Sequence, residues 1–192
     1  MQTLTFHKWM LKLKKGIKGA CMIAFDFDRA KAIEAILYLA NGISDSDRYS
    51  ICKLLYYTDK TSLEKYGRFI FGESYTAMKE GSTPSNAYDL LKEIARKPIA
   101  QLKVEGNNVI PLRDANLDYF SESDIECLDQ IISVYGKMPS WKRGEDAHDV
   151  AWRKAWEGRG VKRSVGMSIK SIAESLNDSK DLIDYLANRG TD

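Results

Sequence analysis

Residues 50–88, SICKLLYYTDKTSLEKYGRFIFGESYTAMKEGSTPSNAY, read as helix, hairpin, helix. Apolar or small residues at Ile51, Leu54, Leu55, Thr58, Ser62, Leu63 and Tyr66 recur at three- and four-residue steps, which sets one stripe of a helix against a core. Gly67 follows the last periodic position and closes the helix, because glycine enters the left-handed conformation without steric cost. The period then changes. Arg68–Phe71 and Ser74–Met78 are short, aromatic and β-branched, and with Gly72 and Glu73 between them they predict a hairpin. Lys79–Pro84 supplies turn chemistry through Gly81 and Pro84. Ser82 or Ser85 is placed to cap the next helix, whose pattern runs from Asn86 to Arg96 through Tyr88, Leu90, Leu91 and Ile94.

The same residues carry a family resemblance. A helix running K-L-L-Y-Y into L-x-x-Y-G-R, then a short hairpin and A-x-x-x-G, resembles the opening signature of the Panacea (SocA-like) domain of toxin-antitoxin systems. It uses Lys53, Leu54, Leu55, Tyr56, Tyr57, Leu63, Tyr66, Gly67, Arg68, Phe71, Ala77 and Gly81. The chain departs from that pattern after Gly81, with Ser82-Thr83-Pro84 where the family usually has Pro-Val. A second patch, Ala147, His148, Asp149, Ala151 and Trp152, resembles the family's closing T-H-x-x-x-x-W motif with a changed first residue and shorter spacing. Together the patches place such a domain from about Asp26 to Trp156.

Outward from this stretch, 192 residues suffice for one well-formed core, or one domain with an appendage. With 44% hydrophobic and 29% charged residues the composition is that of a folded globular chain rather than a disordered one. Cys21, Cys52 and Cys127 are odd in number and form no Cys-x-x-Cys pair, which argues against a disulfide scaffold or zinc ribbon and for a reducing cytosol. Cys52 lies beside the apolar stripe, so burial is its expected state.

Net charge is +2, but Lys8, Lys12, Lys14, Lys15 and Lys18 all fall in the first 21 residues, leaving 24 basic against 27 acidic residues in the rest. A mildly acidic body is a poor duplex-DNA binder, which needs a concentrated basic face. The basic extension, residues 1–21, is read either as an amphipathic helix on a membrane surface, through Phe6, Trp9, Met10, Leu13 and Ile17, or, because the stretch opening at Met22 resembles the usual beginning of the family's domain, as sequence upstream of a start there. It is not a signal peptide, because lysines interrupt its apolar run. No later segment approaches the roughly 20 apolar residues of a membrane span.

Elsewhere the chain alternates helical and hairpin signals. Asp26–Asn41 is helical, with Ala30, Ile33, Ile36, Leu37 and Ala40 on one face, and Ser44 or Asp45 is placed to cap the signature helix. Leu102–Glu105 and Asn108–Leu112 flank Gly106-Asn107 as a second hairpin, expected to join the first in one small antiparallel sheet because a lone hairpin is barely stable. Ser121 and Asp124 form a capping box for Glu122–Tyr135, ended by Gly136. Pro139 opens an aromatic-rich helical stretch; Gly158–Gly166, GRGVKRSVG, reads as a basic loop, and Ile169–Leu176 and Lys180–Asn188 as two short helices.

Catalytic chemistry finds little to use. His148 is the one histidine outside the extension, and no phosphate-binding glycine motif occurs. Asp146, His148 and Asp149 fall within four positions and cannot all point one way on a helix, so no metal and no cofactor are expected. His148 and Trp152, four residues apart, are expected to pack on one helical face. On the signature helix, Tyr57 and Tyr66 lie near the buried stripe while Tyr56 lies at its edge, which makes Tyr56 the expected surface contact. Lys53 and Lys60 are expected as solvated charges, and Arg68 and Lys79 as the rim of a binding face.

The residues predict a mixed α+β single domain, mainly α-helical, with a small antiparallel β-sheet. The expected division is an extension over 1–21, the domain over 22–157, and a basic loop with a helical tail over 158–192. The resemblance implies an antitoxin that binds a cognate toxin, encoded by an adjacent gene in bacteria or phage, without catalysing a reaction; in some relatives inhibition is coupled to proteolysis, so a protease is a second implied partner. Tyr56, Arg68, Lys79 and Tyr88 are the expected partner-binding residues; Lys53, Leu54, Leu55, Tyr57, Gly67, Gly81, His148 and Trp152 are expected to serve the fold. Two alternatives stay open: a nucleic-acid-binding regulator using the basic extension with Arg159, Lys162 and Arg163, and a hydrolase using His148.

Overall fold

A computed structural model describes residues 25–177 and 179–188; the readings of the basic extension lie outside them. Helix α1 (Arg29–Gly42) begins at Asp28, whose carboxylate accepts from Lys31 N. Helix α2 (Arg48–Tyr66) is capped by Asp47 rather than by Ser44 or Asp45, and it ends at Gly67 with φ 63°. Strands β1 (Tyr75–Met78) and β2 (Gly81–Pro84) form the first hairpin, and helix α3 (Ser85–Arg96) follows directly. Strands β3 (Leu102–Glu105) and β4 (Asn108–Pro111) form the second. After a short 3-10 turn at Leu117–Tyr119 come α4 (Glu122–Tyr135), with both halves of the Ser121–Asp124 capping box made, α5 (Ser140–Asp146) and α6 (Val150–Glu157). Strand β5 (Val165–Met167), α7 (Ile169–Ala173) and α8 (Ser179–Asn188) complete the described residues. The fold is α+β and mainly helical, with antiparallel sheets of three and two strands.

Helix α2 is the axis of the core. It packs against α1, α3, α4, α5, α7, β2 and β4, and every residue from Ser50 to Asp59 is buried. From Ser50 to Asp59 the helix has no solvent face, so the stripe expected there is buried all the way round, and exposure begins further on, at Glu64 and Lys65. Its buried polar side chains therefore need partners inside the fold.

The first hairpin lies further along the chain than expected. Phe69, Ile70 and Phe71 are buried, yet they form an irregular segment rather than a strand. Asp59 accepts a hydrogen bond from Ile70 N at 2.7 Å, and Gly72 both adopts φ 68° and passes so close to the Asp26 carbonyl that an added Cβ would stand 2.0 Å from its oxygen. Glu73 is no turn residue. Its buried carboxylate accepts from Asn86 N and Ala87 N, each at 2.9 Å, and so caps α3 from a distance; Ser82 and Ser85 do not. The reversal falls instead at Lys79-Glu80, closed by the Met78–Gly81 pair.

The two hairpins also do not share a sheet. The first is joined by β5, in the order β2-β1-β5, so the stretch read as a basic loop ends as a strand. The second is propped by the entry to α2, where Arg48 N donates to Asn107 O at 2.8 Å and Val109 N to Ser46 O at 2.9 Å. Each hairpin thus finds its own third element, which satisfies the same need for support.

Candidate functional site

Lys53, Tyr56, Tyr57 and Lys60 follow one another along α2 at one- to three-residue steps and reach three distant parts of the chain. Lys53 Nζ donates to Ser82 O on β2 at 2.9 Å. Tyr56 Oη and Lys60 Nζ both donate to Asp149 Oδ2, at 2.7 and 2.6 Å. Tyr57 Oη donates to the Arg143 carbonyl, and its ring stacks on Tyr135 with centroids 4.3 Å apart. Asp149 uses its other oxygen to accept from Trp152 N at 2.9 Å, so one carboxylate caps α6 and ties it to α2.

The second motif patch closes on the turn of the first hairpin. Ala147 O accepts from both Ser82 N and Ser82 Oγ, each at 3.2 Å. Trp152 Nε1 donates to Met78 O at 2.8 Å, and His148 Nε2 lies 3.1 Å from Lys79 O, a contact in which the ring nitrogen must be the donor. His148 stands edge-on to Trp152 at 4.2 Å, Trp152 stacks on Trp156 at 5.4 Å, and the Arg159 guanidinium covers Trp156 at 3.7 Å. The two patches, far apart in sequence, form one clamp around the β1–β2 turn.

Burial sets the electrostatics. Desolvation holds the Lys53 amine down at about 8 and the Asp59 carboxyl up at about 7, the latter despite donors from Ile70 N and Tyr75 Oη. Burial raises the Tyr56 hydroxyl well above its ordinary value, and nearby Asp149 raises it further. The thiols of Cys52 and Cys127 are buried and pushed up to about 12 and about 11, so both are held protonated.

Tyr56 is fully buried, which corrects its assignment as a surface contact: α2 is enclosed from Ser50 to Asp59, and the Tyr56 hydroxyl donates to Asp149. Lys53 is likewise 1% exposed rather than solvated, and Lys60 is ion-paired. Arg68 is committed inward, with Nη2 2.7 Å from Asp124 Oδ1 and 2.8 Å from Ser123 Oγ, tying the exit of α2 to the start of α4. Leu54, Leu55 and Tyr57 lie in the core. Gly67 passes so close to Tyr185 that an added Cβ would stand 2.5 Å from the ring, and Gly81, at φ 99°, packs on Ala147 and Lys53. Lys79 is exposed at the hairpin turn, and Tyr88 is half-buried on α3 with Lys92 Nζ 4.6 Å from its ring centre. No hydrogen bond or ring contact joins Arg68, Lys79 and Tyr88 among the described residues.

Sequence reasoning passed over Arg143, the largest fully buried side chain. Its Nη1 donates to Ser50 Oγ at 2.6 Å, while Nε and Nη2 donate to Tyr135 O and Gly136 O, both at 3.0 Å, and so complete the C-terminus of α4. Nothing in SWKRGED marks this arginine among its charged neighbours. Among the described residues no three His, Cys, Asp or Glu side chains converge as a metal site, and no helix is long and apolar enough to cross a membrane.

The polar side chains of a buried helix thus pin it to a clamped hairpin. The family model described as antitoxin SocA-like, Panacea domain, matches residues 51–153, from α2 into α6. The chain belongs to that family. Neither the curated proteins nor the solved structures contain a match to it.

Proposed function

We propose that this chain is an antitoxin that neutralises a cognate toxin by direct, stoichiometric binding. The observation that carries the reading is the match of more than half the chain to the SocA-like antitoxin domain. The site chemistry agrees with a binding role. His148 is engaged by Lys79 O and Trp152, and both buried thiols are held in the unreactive protonated form. The unpaired, buried Cys52 and Cys127 fit a reducing cytosol as the place of encounter.

The test is co-expression with the product of the neighbouring reading frame. Growth rescue together with a co-purifying complex of fixed stoichiometry is the expected result. A toxic neighbour that is neither bound nor rescued overturns the reading. Following the neighbour's abundance in the same cultures separates sequestration, in which it persists, from coupling to a protease, in which it disappears.

A further inference from the structure

The motif residues face inward, so a surface that selects a partner has to lie on what the framework leaves exposed. Outside the matched residues the chain adds β5 to the first hairpin: Val165, Gly166 and Met167 pair with Ala77, Thr76 and Tyr75. This makes β5 the outer strand of the order β2-β1-β5, with no strand on its far side among the described residues. An edge of this kind presents main-chain donors and acceptors to any extended segment laid beside it. The space next to Gly166 is open, since nothing lies within 4 Å of an added Cβ.

Charge accompanies the edge. Lys162 and Arg163, immediately before β5, are exposed, and neither has an ion-pair partner among the described residues. Arg153, on the helix packed against β5, is exposed and unpaired in the same way. The loop carrying them is held in place, because Arg159 both covers the Trp156 ring and donates to Trp156 O at 2.7 Å, and Lys162 N returns to Arg159 O at 3.3 Å. Single-stranded nucleic acid needs free aromatic faces to stack on, and Trp156 has Trp152 on one side and Arg159 close over the ring. The patch fits a polypeptide instead.

We propose that the outer edge of β5, with Lys162 and Arg163 beside it, docks an acidic, extended segment of the partner protein, which adds to the sheet as a fourth strand. The identity of that partner as a toxin rests on the antitoxin reading; the chemistry of the edge does not. The probe is a fluorescein-labelled peptide alternating Glu and Val, titrated into the full chain by anisotropy, beside the same peptide with N-methylated amides and an oligothymidylate. The peptide is expected to bind and to shift the amide NMR signals of residues 164–168. N-methylation, or the double variant Lys162→Glu, Arg163→Glu, should each weaken it by about tenfold or more. Absent peptide binding, equal binding of the methylated peptide, indifference to the charge reversal, or tighter binding of the oligothymidylate overturns the proposal. In co-purification, a neighbour bound equally by wild type and double variant overturns the docking surface and leaves the antitoxin reading standing. A neighbour that the wild type does not bind overturns that reading, and the peptide titrations alone then decide the surface.

Discussion

Removing the Tyr56 hydroxyl separates a framework tyrosine from a contact tyrosine. Tyr56→Phe keeps the ring, which meets Tyr75 edge-on at 5.0 Å, and deletes the hydroxyl with its 2.7 Å bond to Asp149. A hydrogen bond to a charged acceptor contributes about 1.5–3 kcal/mol, and Asp149 keeps Lys60 and Trp152 N, so a loss near the lower end, about 1.5 kcal/mol, is expected. Asp149→Ala costs more, because it also removes the α6 cap, worth about 1 kcal/mol, and leaves Lys60 without its carboxylate; about 3–4 kcal/mol is expected. In the double variant the Tyr56–Asp149 bond is lost only once, so the cycle should show a coupling of about 1 kcal/mol or more. Urea unfolding followed by circular dichroism at pH 7 measures all four corners, against a total stability on the order of 5–15 kcal/mol for a domain of this kind. A Tyr56→Phe cost below about 0.5 kcal/mol with no coupling would refute the framework role.

Three further outcomes follow from the buried polar groups. Arg143→Met leaves the Tyr135 and Gly136 carbonyls without their donor and should cost about 3–5 kcal/mol in urea unfolding; a loss under about 1 kcal/mol would count against it as the organiser of the α4 terminus. The Asp59 carboxyl is held at about 7, above its ordinary 3.8, so its stabilising proton is fully bound below about pH 4 and its contribution is lost as pH rises through about 7. Asp59→Asn should therefore flatten the stability profile across that window, and an unchanged slope in urea midpoints would contradict the assignment. Lys53, held at about 8 against an ordinary 10.5, has the opposite sign: the unfolded chain binds the proton more tightly, so stability rises from about pH 8 toward 10.5. Wild type minus Lys53→Met, measured across pH 8–10, should show that rise, and a constant difference would exclude it.

Features set by neighbours in sequence were legible, and those set by distant partners were not. The capping box at Ser121 and Asp124 and the Gly106-Asn107 hairpin follow from residues within four positions of each other, whereas His148 and Trp152 do meet edge-on but not on one helical face, because His148 lies ahead of Asp149, the cap of α6. The first hairpin was misplaced because Phe69, Ile70 and Phe71 have strand composition for another reason: they fill the core from an irregular segment held by Asp59. Glu73 looked like a turn residue until α3 supplied its two backbone N–H groups. Helical periodicity assumes one wet face, so it places Tyr56 and Lys53 on a surface that α2 lacks between Ser50 and Asp59, where seven elements pack around it. The β5 strand was hidden because a three-residue run after a basic loop carries no period; only its pairing with β1 defines it.

The family motif and the edge proposed for docking sit on different atoms of this protein. Lys53, Tyr56, Tyr57, His148 and Trp152 each satisfy a backbone or carboxylate group elsewhere in the chain, so a change at any of them is felt first as lost stability. Residues locked in this way are poor material for discriminating between partners, since each new contact would have to be made at the expense of the framework. The exposed Lys162 and Arg163 carry no such obligation: side chains without ion-pair partners can change with little effect on the fold. A clamp that fixes the hairpin by its turn leaves the opposite edge of β1 to pair with β5, whose own outer edge is the proposed docking site. The rigid motif and the exposed edge are therefore two ends of one mechanical unit, the first holding in order the hairpin whose outer neighbour, β5, exposes its main chain.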